Sequence, residues 1–444
     1  MRLTSLKKYL ILLDKSPIVF NEEFNAILDL IENQDHNLFI TGRAGTGKST
    51  LLSLLKRTTR KNAAVLAPTG IAALNVGGQT IHSFFKFPPK MIDPRELTKR
   101  KNHRFYKKLK LLIIDEISMV RADMMDCIDM FLRNNIEDPR PFGGVQLVVF
   151  GDLFQLPPVV ASQFERQFLK EKYGSPYFFA AEVFQSEVDL KMIELVTVYR
   201  QTERGFINLL DNIRTRSFDY EDLEEINQRH NAEIDEDEFT ITLCTTNAKV
   251  NAINNEQLKK IASPTFEFQA KVSGNFSSSV FPSDQYLWLK ENAQVMFVKN
   301  DPEGNYVNGS LGRIMELDSD KIIVETKIRG EEKILNIDRV EWEVLKYEID
   351  PAAPDRFKTS VTGSFTQYPI KLAWAITIHK SQGKTFDNII IDLGKGAFDY
   401  GQTYVALSRC RTLDGICLKQ MITGRDIIVD PIIVDYYETK KRRW

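Results

Sequence analysis

The chain has 444 residues and 43% apolar content, enough to bury several ordinary cores, which excludes a free peptide or a disordered tail. Its 59 Lys+Arg and 60 Asp+Glu give a formal net charge of -1, so total charge selects neither a nucleic-acid partner nor a small-molecule one. Cys127, Cys244, Cys410 and Cys417 are too few and scattered for a disulfide framework, no Cys/His cluster has zinc-ligand spacing, and no window approaches the roughly 18 uninterrupted apolar residues of a membrane span.

At the N-terminus, Arg2, Lys7 and Lys8 precede only the short apolar run Tyr9–Leu13, broken by Asp14 and Lys15. This is not a secretory signal, and a cytosolic protein is expected, in a bacterial cytosol or nucleoid. Short apolar runs then alternate with helix-length amphipathic stretches. Leu38–Thr41, Ala63–Ala67, Leu111–Asp115 and Gln146–Gly151 read as buried parallel strands of a doubly wound α/β lobe.

Directly after the first of these strands, GRAGTGKS at 42–49 satisfies the phosphate-loop pattern GxxxxGK[ST] and opens a helix, Lys48–Arg57. Gly42, Gly45 and Gly47 allow the tight turn that aims backbone N–H groups, with those of Thr46 and Thr50, at phosphates. Lys48 would reach the β/γ-oxygens and Ser49 would place its hydroxyl on Mg²⁺. Further on, LLIIDEIS at 111–118 ends a buried strand with Asp115, a Mg²⁺ ligand, and Glu116, the base or water-orienting group for attack on the γ-phosphate. Adjacent carboxylates resemble the pair of ATP-driven motors more than GTP switches, so the reaction class is NTP hydrolysis. VVFGDLFQLPPV at 148–159 ends another strand with Gln155, able to touch the γ-phosphate, while Pro157 and Pro158 stiffen the following turn.

Charge is segregated along the chain: residues 86–110 hold ten Lys/Arg against Asp93 and Glu96, and 219–238 hold ten Asp/Glu against Arg229, the latter expected as a solvated helix and loop. A second α/β lobe begins with a strand at Ile241–Thr246 and a helix near Asn247–Ile261, and resumes with Asn388–Leu393 and Gly415–Lys419. Between them, Val295–Val298, Ser310–Leu317, Lys321–Thr326 and Lys333–Ile337 are short strands spaced by turn residues, read as a small inserted β-barrel. The basic end Lys440–Trp444 is expected to fray.

Taken together, GRAGTGKS, APTGIAALNVGGQTIHSFF (67–85), LLIIDEISMV, PFGGVQLVVFGDLFQLPPV (141–159), LVTVYRQ (195–201), TTNAKVNAIN (245–254), YVNGSLG (306–312), LAWAITIHKSQGKTFD (372–387) and YVALSRCRTLDGI (404–416) resemble the petite-integration-frequency family of superfamily-one DNA helicases, in the family's order and over nearly the whole chain. The run from Met119 to Gln146 falls where the family carries its own signature segment, which separates it from RecD-like helicases. The resemblance implies an α/β fold of two RecA-like lobes: 1–190 with a wedge insertion at about 80–106, then 191–294 with 367–444, and an SH3-like barrel at 295–366. It implies ATP and Mg²⁺ as cofactors and 5′ to 3′ movement on single-stranded DNA, with unwinding at single/double-strand junctions. No membrane partner is expected, and a monomer is expected in solution.

By the same resemblance Arg200 and Arg409 reach the γ-phosphate, and Gln382 and Gly383 sense nucleotide from the second lobe. Thr69, Gly70, His82 and Pro157 of the first lobe, with Asn247, Thr377, His379, Lys380 and Ser381 of the second, contact DNA. Read alone, the two arginines fit a salt bridge as well, and the two histidines fit a core. Phe84, Phe85 and Phe87, followed by Pro88 and Pro89, open the wedge, and core packing is the better reading for at least two of the rings. One departure stands out: FNEEF places Phe24 where the family usually has the adenine-recognising Gln, which leaves base preference open. The rival readings are an ATP-gated nucleic-acid-binding switch, a RecD-like helicase without robust unwinding, and a phosphotransferase, against which the lack of an acceptor site argues.

Overall fold

The computed structural model describes residues 22–441 except 89–90, 95–96, 102, 235–238, 329–330 and 354–355. Tyr9–Leu13, Pro89, parts of the basic and acidic runs, and 442–444 of the basic end lie outside the described residues.

The first lobe is built on six strands, β1 (Asn37–Gly42), β2 (Ala63–Ala67), β3 (Gln79–Thr80), β4 (Leu111–Ile114), β5 (Gln146–Phe150) and β6 (Leu190–Leu195). They form one sheet in the order β3-β2-β4-β5-β1-β6, and every pairing is parallel. Both faces are covered, which is why β4 reads as the unbroken apolar run LLII rather than an alternation. One face packs on the helices Glu22–Asn33 and Lys48–Thr58 through Ile27, Ile31, Leu51 and Leu55. The other packs on the helix Ala122–Ile136, on the wedge aromatics and on the C-terminal helix Pro431–Lys441. The sheet runs on to Leu195, past the boundary expected at 190, because β6 pairs with β1 along its whole length.

The second lobe begins with β7 (Thr240–Cys244), followed by the helix Asn247–Lys260. Ten antiparallel strands then intervene: β8 (Phe266–Gln269), β9 (Lys271–Gly274), β10 (Tyr286–Leu289), β11 (Gln294–Phe297), β12 (Leu311–Leu317), β13 (Ile322–Ile328), β14 (Glu331–Asn336), β15 (Val340–Ile349), β16 (Phe357–Gln367) and β17 (Ile370–Leu372). The lobe resumes with β18 (Ala375–Thr377), β19 (Asn388–Asp392) and β20 (Ile416–Leu418), and its sheet is parallel in the order β18-β7-β19-β20. The inserted strands form sheets β14-β13-β12-β11-β17, β15-β16-β9 and β10-β8, so antiparallel pairing reaches beyond 295–366 on both sides.

The long β15–β16 hairpin leaves the insertion and leans on the first lobe. Tyr347 Oη accepts from the Val65 N–H at 3.0 Å, Gln79 Nε2 donates to Leu345 O at 2.6 Å, and Phe105 stacks on Phe357 with centroids 4.5 Å apart. Phe84, Phe85 and Phe87 are all buried among Tyr106 and Phe131, so all three rings are core, and none is free to stack on a base. The basic end is also partly docked: Lys440 belongs to the C-terminal helix and its Nζ donates to Leu190 O at 2.9 Å, where fraying was expected.

Candidate nucleotide cleft and nucleic-acid track

The phosphate loop is made by the junction of β1 and the helix Lys48–Thr58. Gly45 and Gly47 both take φ +84, a left-handed conformation that glycine adopts without a Cβ penalty. Space is short there as well: a Cβ on Gly45 would sit 2.5 Å from Arg200 Cβ, and one on Gly47 would sit 3.0 Å from the Phe24 ring. Lys48 folds back over the loop, its Nζ donating to Gly42 O at 2.6 Å and Arg43 O at 2.9 Å. Burial pulls its ammonium down to about 8, against the attraction of Asp152 and Glu116.

Between the lobes lies a cleft of about 520 Å³. Gly45–Thr50, Asp115, Glu116 and Gln155 line it from the first lobe, and Gly383, Thr385, Arg409 and Arg411 from the second. Arg200, on the connector after β6, and Phe24 close it at the sides. Asp115 and Glu116 sit side by side in the dry wall, and burial raises both carboxyls, with Asp115 adding to the rise at Glu116. Glu116 holds φ +50, an uncommon conformation for a residue with a side chain, and starts the turn Ile117–Met119. Ser49 and Asp115 supply a hydroxyl and a carboxylate to the same cleft, an oxygen donor set that suits a hard divalent cation.

Gln382 spans the two lobes. Its Nε2 donates to Glu116 Oε2 at 3.0 Å and to Gln155 Oε1 at 3.2 Å, and Gln155 in turn donates to Asp152 Oδ2 at 3.2 Å. The arginines are poised close by. Arg200 Nη1 donates to Ser408 O at 3.0 Å, and Arg409 is held by Val405 O and Ser408 Oγ. Burial lowers Arg200 to about 9, with Arg409 opposing its charge, and lowers Arg409 to about 10. Two buried guanidiniums facing one cleft mark a place prepared for anionic charge.

Of four residues absent from the sequence reading, Tyr199 lines the cleft, and Tyr404, Arg214 and Tyr437 brace the elements that carry its wall. Tyr199, next to Arg200, is half exposed and lies within 3.6 Å of the Cβ position of Gly47. Tyr404 Oη accepts from the Ala44 N–H at 2.9 Å. Arg214 forms a buried ion pair with Asp152 at 3.0 Å and lies over the Phe154 and Tyr437 rings. Tyr437 meets Thr41 Oγ1 at 2.5 Å. Tyr199 and Tyr404 stand inside quoted motifs and were legible there, whereas Arg214 and Tyr437 lie in unremarkable helices and carried no local signal.

The expected DNA contacts divide into two groups. Thr69, Asn247 and Lys380 are exposed, and His82, Pro157 and His379 are partly so. Burial lowers both histidines, His82 further by Arg121, so each is a neutral imidazole at neutral pH. Ser381 and Thr377 are different. Ser381 is fully buried and donates to Ile378 O at 2.6 Å, while Thr377, also buried, accepts from the Lys380 N–H and caps the short helix Ile378–Ser381. Both hold the His379–Lys380 turn in place instead of facing solvent. Gly70 is covered too: a Cβ there would lie 2.0 Å from Val280 Cγ1 of the insertion.

A family model described as PIF1-like helicase matches residues 19–222. The chain is 33% identical over 426 residues to the ATP-dependent DNA helicase PIF1 of Xenopus laevis, covering 91% of this chain and 62% of that one, so it spans less than two thirds of that relative's length. To the ATP-dependent DNA helicase Pif1 of Campylobacter jejuni it is 32% identical over 448 residues, covering 90% of this chain and 94% of the relative. It superposes on Bacteroides sp Pif1 in complex with ADP-AlF4 with a TM-score of 0.88 at 39% identity, covering 96% of this chain and 98% of that one. Bacteroides Pif1 bound to ssDNA, at 40% identity and the same coverage, gives 0.69. The conformation here is thus nearer to the strand-free Bacteroides Pif1 forms, with nucleotide analogue (0.88) or unliganded (0.85), than to the strand-bound form.

Proposed function

The chain belongs to the PIF1-like helicase family, and on that premise we propose that it is an ATP-dependent DNA helicase that moves 5′ to 3′ along single-stranded DNA and opens duplex ahead of it. The observation that carries the reading is the cleft itself. Phosphate loop and paired carboxylates stand on one wall, Arg409 and Gln382 approach from the other, Arg200 closes the side, and Gln382 bridges the two walls.

In this mechanism Lys48 exchanges the Gly42 and Arg43 carbonyls for β/γ-phosphate oxygens, and the Gly45–Thr50 amides cradle the same groups. Glu116 orients the attacking water and takes its proton. Arg200 and Arg409 neutralise charge that builds on the γ-oxygens, so hydrolysis requires the lobes to be together. Ser49 and Asp115 are the residues to hold Mg²⁺, which when bound offsets charge on the β- and γ-phosphates. Loss of the γ-phosphate is reported through Gln155 and Gln382. The half-exposed Tyr199 offers the base an aromatic face, whereas Phe24 packs in the first-lobe core at the edge of the cleft. Thr69, His82, Pro157, Asn247, His379 and Lys380 track the strand across both lobes.

The deciding experiment compares unwinding of duplexes carrying a 5′ or a 3′ single-stranded tail, with and without ATP and Mg²⁺. Strand separation from the 5′ tail alone, dependent on both cofactors, is the expected result. Preference for the 3′ tail overturns the direction. ATP hydrolysis stimulated by DNA with no separation on either substrate replaces the motor with the switch reading.

A further inference from the structure

Two lysines that the cleft does not use lie together on the far side of the segment carrying Gln382. Lys384 extends over the turn of the YVNGSLG motif, with Gly309 (φ +107) so close that a Cβ there would lie 3.3 Å from Lys384 Cβ. Its Nζ donates to Asn308 Oδ1 at 2.5 Å. Lys371, on β17, and Lys384 are each mostly buried, and Lys384 feels the charge of Lys371. Among the described residues neither ammonium has a carboxylate within ion-pairing distance; Asp284 offsets the charge on Lys371 only at longer range. Burial and like charge together lower Lys384 to about 7, and burial with Lys380 nearby lowers Lys371 to about 8.

Like charges gathered in a low-dielectric crevice without a counter-charge are costly, and such an arrangement is stabilised by an anion placed between them. We propose that Lys371, Lys384 and Asn308 form a seat for one phosphodiester of the DNA strand. This rests on the helicase reading and adds a contact to it. A strand is the occupant rather than a free anion because of what borders the seat. Asn308 Nδ2 donates to Asn75 Oδ1 at 3.4 Å, on the first-lobe helix that begins after Thr69, and the exposed Lys380 is near enough for its charge to act on Lys371. A backbone crossing from one lobe to the other passes between them.

The seat is also wired to the nucleotide. The main-chain carbonyls of Ser381 and Lys384 both accept from Arg409 Nη1 at 3.4 Å, while Gln382 reaches Glu116. A phosphate drawn to the Lys384 side chain therefore acts on a four-residue segment whose opposite side positions an arginine and a glutamine of the ATP cleft.

The test uses the full chain with Lys371→Met and Lys384→Met, singly and together, since Met keeps an apolar stem in each place, at 384 the one that packs on Gly309. Binding of a single-stranded oligothymidylate is measured against salt, and one methylphosphonate is then walked along the oligomer. The double variant should bind about tenfold more weakly, with a salt slope shallower by about 0.7, the share of one phosphate on a single strand. In the wild type one linkage should be sensitive to neutralisation, and that sensitivity should vanish in the double variant. A folded double variant with unchanged slope and the same phosphonate profile overturns the seat. Inorganic phosphate raising the wild-type melting temperature but not the variant's, with no sensitive linkage, overturns the DNA assignment. Failure of the wild type to bind the oligomer at any salt removes the helicase reading itself, which is a separate outcome.

Discussion

At the scale of single residues, Glu116 carries the strongest conflict between chemistry and folding. It is largely buried, held beside Asp115 and kept at positive φ, and each of these costs stability in exchange for placing one carboxylate above the phosphate loop, a cost that the hydrogen bond from Gln382 partly offsets. Glu116→Gln keeps the shape and can still accept from Gln382, so nucleotide binding should persist while hydrolysis falls about 10²-fold or more, the range of a lost general base. Equilibrium binding of a nucleotide set beside single-turnover hydrolysis separates the two. A wild-type hydrolysis rate removes Glu116 from its role.

Among the elements, the signature helix Ala122–Ile136 does its work as a bracket. Asp126 Oδ atoms accept from the Glu182 and Val183 N–H groups, and Asp129 accepts from the Phe142 N–H at 2.6 Å while pairing with Arg133. Two buried aspartates on one helix thereby fix the turn that leads into β5, the strand that delivers Asp152 and Gln155, and the start of the helix Glu182–Ser186. Asp129→Ala leaves the Phe142 amide buried without a partner, a loss of about 1–3 kcal/mol that urea unfolding should show as a lower midpoint at unchanged slope. A midpoint equal to wild type means solvent reaches that amide. The motif-bearing elements were legible because their spacing is local: a phosphate loop must follow a strand, and a DE pair must end one. The β15–β16 hairpin, β6 and the roles of Thr377 and Ser381 were not. The hairpin and β6 are decided by what packs against them from a distant part of the chain, such as Tyr347 under Val65, whereas Thr377 and Ser381 bond within the short helix Ile378–Ser381 itself, to the Lys380 N–H and to Ile378 O.

For the whole molecule, the C-terminal helix decides how two lobes behave as one. It follows the second lobe in sequence but buries Ile433 and Tyr437 in the core of the first, and Tyr437 lies beside Arg214, which pairs with Asp152 across the boundary. Tyr437→Ala should cost about 3–5 kcal/mol by opening a cavity against Phe39 and Phe154, and calorimetry should register it as two separated melting transitions in place of one. A single transition at the wild-type temperature means the helix contributes nothing to the union. The Arg214–Asp152 pair has a mechanical consequence as well. A dry ion pair tolerates little separation, since breaking it strands charge at about 3–5 kcal/mol. The two halves are therefore pinned at that point and swing about it as a jaw about its fulcrum, so a sub-ångström adjustment beside Asp152 becomes a wide excursion at the rim.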